Sequence, residues 1–191
     1  IIGHVNKDGD VAGPKVLEHV VDVIANIDDE IGSEYRIIRA SKNRYGNTDE
    51  VGVFEMTAQG MVSVDNPSAL FVSEDRKEVS GTSILSTVEG TRPLLIEIQA
   101  LVSQSEFNYP KRTSSGVNLN KLQMIIAILS NHTGITLNDQ DVYVSAVGGI
   151  KITDPGIDLP LCISIASSYL KNSFDDEIVF FGEVDLTGRL R

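Results

Sequence analysis

Residues 94–102 read Leu-Leu-Ile-Glu-Ile-Gln-Ala-Leu-Val. Ile96, Ile98, Ala100 and Val102 fall on one side of a period-two pattern, with Glu97 and Gln99 on the other. The stretch therefore predicts a strand with one buried face. Downstream, Leu122, Ile125, Ile126 and Leu129 recur at helical spacing, which predicts a helix over 119–130. Residues 142–147 predict a strand stopping at Gly148-Gly149. A second helix is expected over 159–170 with Pro160 at its start, then a buried strand of Ile, Val and Phe over 178–184. Residues 82–88 add a strand upstream. Strands alternating with helices in this order predict α/β or α+β layers.

Closer to the N-terminus, 11–27 reads as a helix, with Pro14 in its first turn and Val16, Val20, Val21, Val23 and Ile24 at roughly helical spacing. Residues 35–40 and 51–56 read as strands. Between them, 41–48 reads as a polar loop, and a turn at 59–60 leads to a short strand over 61–64. Asp65-Asn66-Pro67-Ser68 carries turn chemistry. With the polar stretch 73–81 it marks a boundary, giving a first unit over 1–64, a linker over 65–80 and a second unit over 81–191.

The chain has 191 residues, 41% hydrophobic and 23% charged, which suits globular packing rather than disorder. No apolar run approaches the length of a membrane span, and no secretory signal opens the chain. The single cysteine, Cys162, permits no internal disulfide and no CxxC metal pair, so a reducing, cytoplasmic setting is expected. Lysine and arginine number 16 against 27 acids, a net charge of −11. Residues 1–64 carry 6 basic and 11 acidic side chains, and both units are acidic. Nucleic acid cannot be held over the whole surface of such a chain, so any phosphate contact must be local and steeply salt-dependent. The chain starts without Met and stops just after a strand-like run, as expected of a piece of a longer protein.

Two windows break the acidic pattern. Residues 35–48 contain Arg36, Arg39, Lys42 and Arg44 and no acid. Lys42 and Arg44 share the expected loop with Gly46, so the window is either a solvated basic loop or a phosphate contact. Residues 107–138 also lack acids. There Phe107, Tyr109 and Pro110 precede Lys111 and Arg112, and Lys121 follows. Rings interleaved with cations suit a single-stranded nucleic-acid track, and an ordinary loop beside a helix is the plainer alternative. His4 either senses a phosphate or caps a turn. Three histidines without a close pair predict no metal site. Cys162 fits a core stripe. Ser164, Ser168 and Lys171 share a helix, but no glycine-rich nucleophile turn surrounds either serine, so packing is favoured over a Ser–Lys dyad. No GxxxxGK[ST] phosphate loop is present.

Several segments then point to a family. IIGHVNKDGDVAGPKVLEHVVDV (1–23) resembles the end of the RecA-like ATPase core of the bacterial RadA (Sms) recombination and repair family. Lys42-Asn43-Arg44-Tyr45-Gly46 resembles its KNRFG signature, with Tyr in place of Phe. VGVFEMTAQG (51–60) and DNPSALFVSE (65–74) continue the pattern. GTRPLLIEIQALV (90–102), YPKRTSSG (109–116), DQDVYV (139–144) and FFGEVDLTG (180–188) follow in the order of its Lon-protease-like domain.

The resemblance implies a RecA-like α/β core end followed by a Lon-like α+β domain of the ribosomal S5 domain 2 type. It implies a cytoplasmic homo-hexamer that uses ATP to translocate on single-stranded DNA and drive branch migration, in company with a RecA-type recombinase. ATP or ADP with Mg would be bound mainly upstream of Ile1, as would zinc, so this chain alone would not hydrolyse ATP. Lys42 and Arg44 would reach a neighbouring subunit's nucleotide, as a Lys-x-Arg pair does in DnaB-type helicases, and 42–46 would couple nucleotide state to DNA. His4 would sense phosphate. Lys7 and Lys15 would flank the DNA-facing loop, where Asp8 and Asp10 also stand and Gly9 and Gly13 free the backbone N–H groups. The Lon-like half departs from an active peptidase, because 154–159 holds no serine where the nucleophile turn belongs. It would serve as a ring scaffold, with Arg92, Lys111, Arg112, Lys121 and Lys151 on a DNA path. A Ser–Lys peptidase and a non-enzymatic assembly module are the alternatives.

Overall fold

The computed structural model describes residues 2–3, 16–28, 35–73, 79–89, 91–175 and 177–191. Its first part is a short helix, α1 (Val16–Val20), followed by β1 (Val23–Asp28), β2 (Tyr35–Asn43), β3 (Val51–Thr57) and β4 (Gly60–Ser63). These strands form an antiparallel sheet in chain order.

Two expectations are corrected here. The helix expected over 11–27 ends at Val20, and 23–28 is a strand. Val23, Ile24 and Ile27 are β-branched, so they suit a pleated surface, and the ladder from Val23↔Asn43 to Asp28↔Ile37 pairs their backbone groups. The polar loop expected from Ser41 opens only after Asn43, because β2 continues that far to meet β1. The register shifts between Ile24 and Ala25, which leaves Ser41 as the extra residue of a β-bulge.

A short helix, α2 (Ser68–Phe71), leads to the second sheet. This sheet contains β5 (Thr82–Glu89), β6 (Arg92–Gln104), β7 (Arg112–Ser115), β8 (Gln140–Ala146) and β9 (Val179–Phe180), in the order β7-β8-β6-β5-β9. The β5–β6 and β6–β8 pairs are antiparallel, and β7–β8 and β5–β9 are parallel. Among the described residues the architecture is thus α/β, with one antiparallel and one mixed sheet.

Two longer helices, α3 (Leu119–His132) and α4 (Asp158–Leu170), complete the second part. Asn118 caps α3 by accepting hydrogen bonds from the N–H groups of Asn120 and Lys121. Leu122, Ile125, Ile126, Ile128 and Leu129 form its buried stripe, each contributing about 1.5–3 kcal/mol by leaving water. Helix α4 packs on β5 and β6 and ends at Lys171, whose backbone adopts the left-handed conformation with φ 55°.

On β6 the expected alternation holds, with Ile96, Ile98 and Ala100 buried and Gln99 exposed. Glu97 lies on the second face yet is only 1% exposed, because α2 covers that end of the strand. Its carboxylate accepts the Ser73 N–H at 2.8 Å and the Gln99 amide at 2.8 Å.

The buried strand expected over 178–184 is also corrected. Only Val179 and Phe180 join the sheet, at its edge, and Phe181 is exposed. Past Phe181 the backbone turns away. Gly182 takes φ +152°, donates its N–H to Gly156 O and accepts from Leu159 N.

The two sheets share one buried cluster that runs from Ile37 and Val53 through Phe71 to the helices. Phe71 is its joint. Its ring meets Tyr35 edge-on at 5.8 Å, and Gly148 also lies against it.

Candidate functional site

The Lys42–Gly46 segment straddles the end of β2. The bulge at Ser41 resets the strand's alternation just before it and turns Lys42 toward α1. Lys42 Nζ donates to Glu18 O at 2.6 Å and to Val21 O at 2.8 Å. A cation there complements the carbonyl end of the short helix. Arg44 donates its backbone N–H to Asp22 O at 3.0 Å, and its guanidinium meets Asp22 Oδ1 at 3.1 Å. Both side chains of that ion pair are about half exposed, so it contributes at most about 1 kcal/mol.

Asn43 shapes the turn that follows. Its Oδ1 accepts the Tyr45 N–H at 3.1 Å and its Nδ2 donates to Asn47 O at 3.3 Å. A Cβ at Gly46 would stand 3.0 Å from Asn43 Nδ2, so glycine keeps this turn tight. The result is a tip that presents Arg44 and Tyr45, the latter 82% exposed. The tip is tied to the second sheet where Thr91 N donates to Asp49 O at 2.8 Å. His4, Lys7 and Lys15 lie outside the described residues.

The basic residues of the second part have divergent surroundings. Arg92 donates to Asp65 O at 2.9 Å and so fastens the turn at 65–67 to β6. Arg112 donates to Leu137 O at 2.6 Å, to Lys111 O at 3.0 Å and to Gln140 O, which pins the loop ahead of β8. Burial pushes the Arg112 pKa down, and the nearby Asp141 charge partly offsets this. Lys121 forms an ion pair with the buried Asp158. These three cations are engaged with the fold's own oxygens. Lys111 is exposed, with its ammonium 5.0 Å from the centre of the Phe107 ring, and Lys151 is also exposed.

The turn at 154–159 carries two carboxylates and no serine. Asp154 accepts the Thr87 hydroxyl at 2.6 Å and the Gly156 N–H at 2.8 Å. Asp158 accepts Lys121 through one oxygen and the Val184 N–H through the other. The helix serines are committed elsewhere. Ser164 donates to Ile98 O at 2.9 Å and lies 2.7 Å from the Ser83 hydroxyl, while Ser168 accepts the Val102 N–H at 2.9 Å. Cys162 is buried, and desolvation, with the Asp158 charge, pushes its thiol up to about 12, far from a reactive thiolate. Among the described residues no cluster of His, Cys, Asp and Glu could hold a metal, and no helix is long and apolar enough to cross a membrane.

Sequence reasoning missed the Lys121–Asp158 pair. Both residues sit in first helical turns, 37 positions apart. The only available signal was an acid just before Pro160 in a stretch rich in apolar residues.

Comparison with known proteins places this arrangement in a class, since the whole chain aligns with bacterial proteins named for DNA repair. These are the RadA proteins, and the chain belongs to their family. It is 45% identical over 191 residues to the DNA repair protein RadA of Listeria monocytogenes. It is 46% identical to those of Salmonella typhimurium and Escherichia coli K12 over the same length. All of the chain is covered in each case, and it spans 42% of the length of each relative. No protein-family model matches the chain.

Proposed function

We propose that this chain is part of a DNA repair and recombination protein, a hexameric ATP-driven translocase on single-stranded DNA that promotes branch migration beside a RecA-type recombinase. Residues 1–64 would be the end of its RecA-like core. Residues 81–191 would be a Lon-like domain without peptidase activity, acting as ring scaffold and DNA surface. The observation that carries this reading is the exposed tip at 44–46, set on a bulged strand beside Lys42 and matching the RadA signature.

Bound between subunits, ATP with Mg would supply the transferable phosphoryl group, held mainly by residues outside this chain. A cation delivered from a neighbour stabilises the charge that builds on that group and makes turnover depend on assembly. Arg44 needs only to leave the half-exposed Asp22, a weak tie. Lys42 must release two carbonyls, so its engagement would be coupled to movement of α1 against β2.

Complementation between subunits of the full-length protein tests this. Arg44→Ala should lower DNA-stimulated ATP hydrolysis by roughly 10³-fold or more, as expected for a cation acting in trans. Mixing that variant with subunits disabled in their own phosphate loop should restore part of the activity, because some interfaces then combine two intact halves. Wild-type turnover by Arg44→Ala and Lys42→Ala rings would overturn the assignment.

A further inference from the structure

The loop 105–111 joins β6 to β7 and presents two rings to water. Phe107 is 61% exposed and Tyr109 is 88% exposed. Its backbone is nonetheless held. Ser105 N donates to Asp139 O at 2.9 Å, the Ser105 hydroxyl exchanges hydrogen bonds with Phe107 at 3.2 Å, and Lys111 N donates to Asp141 Oδ1 at 2.7 Å. The Lys111 ammonium stands over the Phe107 ring, a cation–π arrangement that fixes both side chains at the surface.

The surroundings distinguish between kinds of partner. A protein interface centres on contiguous apolar surface. Here the rings are separated by Asn108 and flanked by Glu106, Pro110 and Lys111. A nucleic-acid strand offers a flat base to each ring and a phosphate to the adjacent cation, which matches this spacing. Glu106, Asp139 and Asp141 crowd the same loop with acid, so phosphate attraction is weak and stacking must supply most of the contact. The double-stranded form hides its base faces and would gain little.

We infer that Phe107 and Tyr109 form a base-stacking platform for single-stranded DNA, with Lys111 meeting one flanking phosphate. This rests on the proposed action on DNA and assigns the residues that read the unpaired strand.

Tyr109→Trp in the full-length protein places an indole reporter in this loop, read against the parent protein, and these 191 residues contribute no other tryptophan. Binding of a dye-labelled oligo(dT) is followed by anisotropy, and indole emission is recorded in the same titration. An abasic strand of equal length serves as control, and thermal unfolding establishes that each variant is folded. The expected result is quenching by oligo(dT) and none by the abasic strand. Tyr109→Ala should weaken oligo(dT) binding roughly 5- to 150-fold, and Tyr109→Phe should bind like the parent. Binding without quenching would overturn the platform while leaving the action on DNA in place. No binding to either strand by the full-length protein would overturn both. Lost self-association in Tyr109→Ala with unchanged DNA affinity would identify a protein contact instead and overturn the platform.

Discussion

Lys121 Nζ lies 2.6 Å from Asp158 Oδ1, and the two residues open different helices. The Lys121 side chain is 28% exposed and that of Asp158 is 4% exposed, so the pair is largely withdrawn from water. The second Asp158 oxygen accepts the Val184 N–H at 3.2 Å. Val184 pairs antiparallel with Leu190, closing a hairpin over 183–191, so one carboxylate fastens α3, α4 and that hairpin together.

Removing one partner strands the other charge in a dry site. Asp158→Asn and Lys121→Met should each lower unfolding stability by about 3–5 kcal/mol, and the double substitution should recover part of that loss. Urea unfolding measures all three. Strictly additive losses would show that the two groups do not act as a pair.

Phe71 gives a second test at the joint between the sheets. Phe71→Ala should cost about 3–5 kcal/mol through the cavity it leaves. Gly148 has φ +80°, and a Cβ there would stand 2.6 Å from Phe71 Cδ1. Gly148→Ala should therefore destabilise both by backbone strain and by collision with the ring. Combined with Phe71→Ala it should cost less than the sum, since the ring it strikes is gone. Calorimetric melting of the four chains provides the cycle.

Acid should loosen the hairpin at 183–191. Asp185 accepts the Thr187 hydroxyl at 2.5 Å and the N–H groups of Arg189 and Thr187, and Arg191 Nε lies 3.3 Å away. The Thr187 hydroxyl foremost, then the Arg189 N–H, holds its pKa down to about 2, against an ordinary 3.8. The folded value lies below the unfolded one. Its stabilisation is thus complete above the ordinary carboxylate range and fades as pH falls through about 2. In urea titrations between pH 5 and pH 2, Asp185→Asn should flatten part of the acid decline. An unchanged slope in that variant would remove Asp185 from the account.

Much of the second sheet was legible because its patterns are unambiguous. The stripe of Leu122, Ile125 and Leu129 has one period, and the alternation from Ile96 to Ala100 has another. Errors arose where one string satisfies two periods or where pairing decides. Val23, Ile24 and Ile27 fit a helix face as well as a strand, and only β2 made them a strand. The run at 178–184 has the composition of a central strand but lies at an edge and leaves the sheet before Gly182. At the candidate site, residue types were readable and their engagement was not. Nothing local distinguishes Lys111, which stays exposed, from Arg112, whose guanidinium is tied to carbonyls contributed by distant loops.

Strand β6 runs unbroken for 13 residues, roughly 40 Å at strand spacing. At its first end Arg92 is anchored to Asp65, and the adjoining Thr91 donates to the Asp49 carbonyl behind the tip at 44–46. Its last end runs directly into the stretch that bears Phe107 and Tyr109. The Asp49 contact and the aromatic loop thus sit at opposite ends of one continuous strand, so the span between them is fixed by the length of a single piece of backbone.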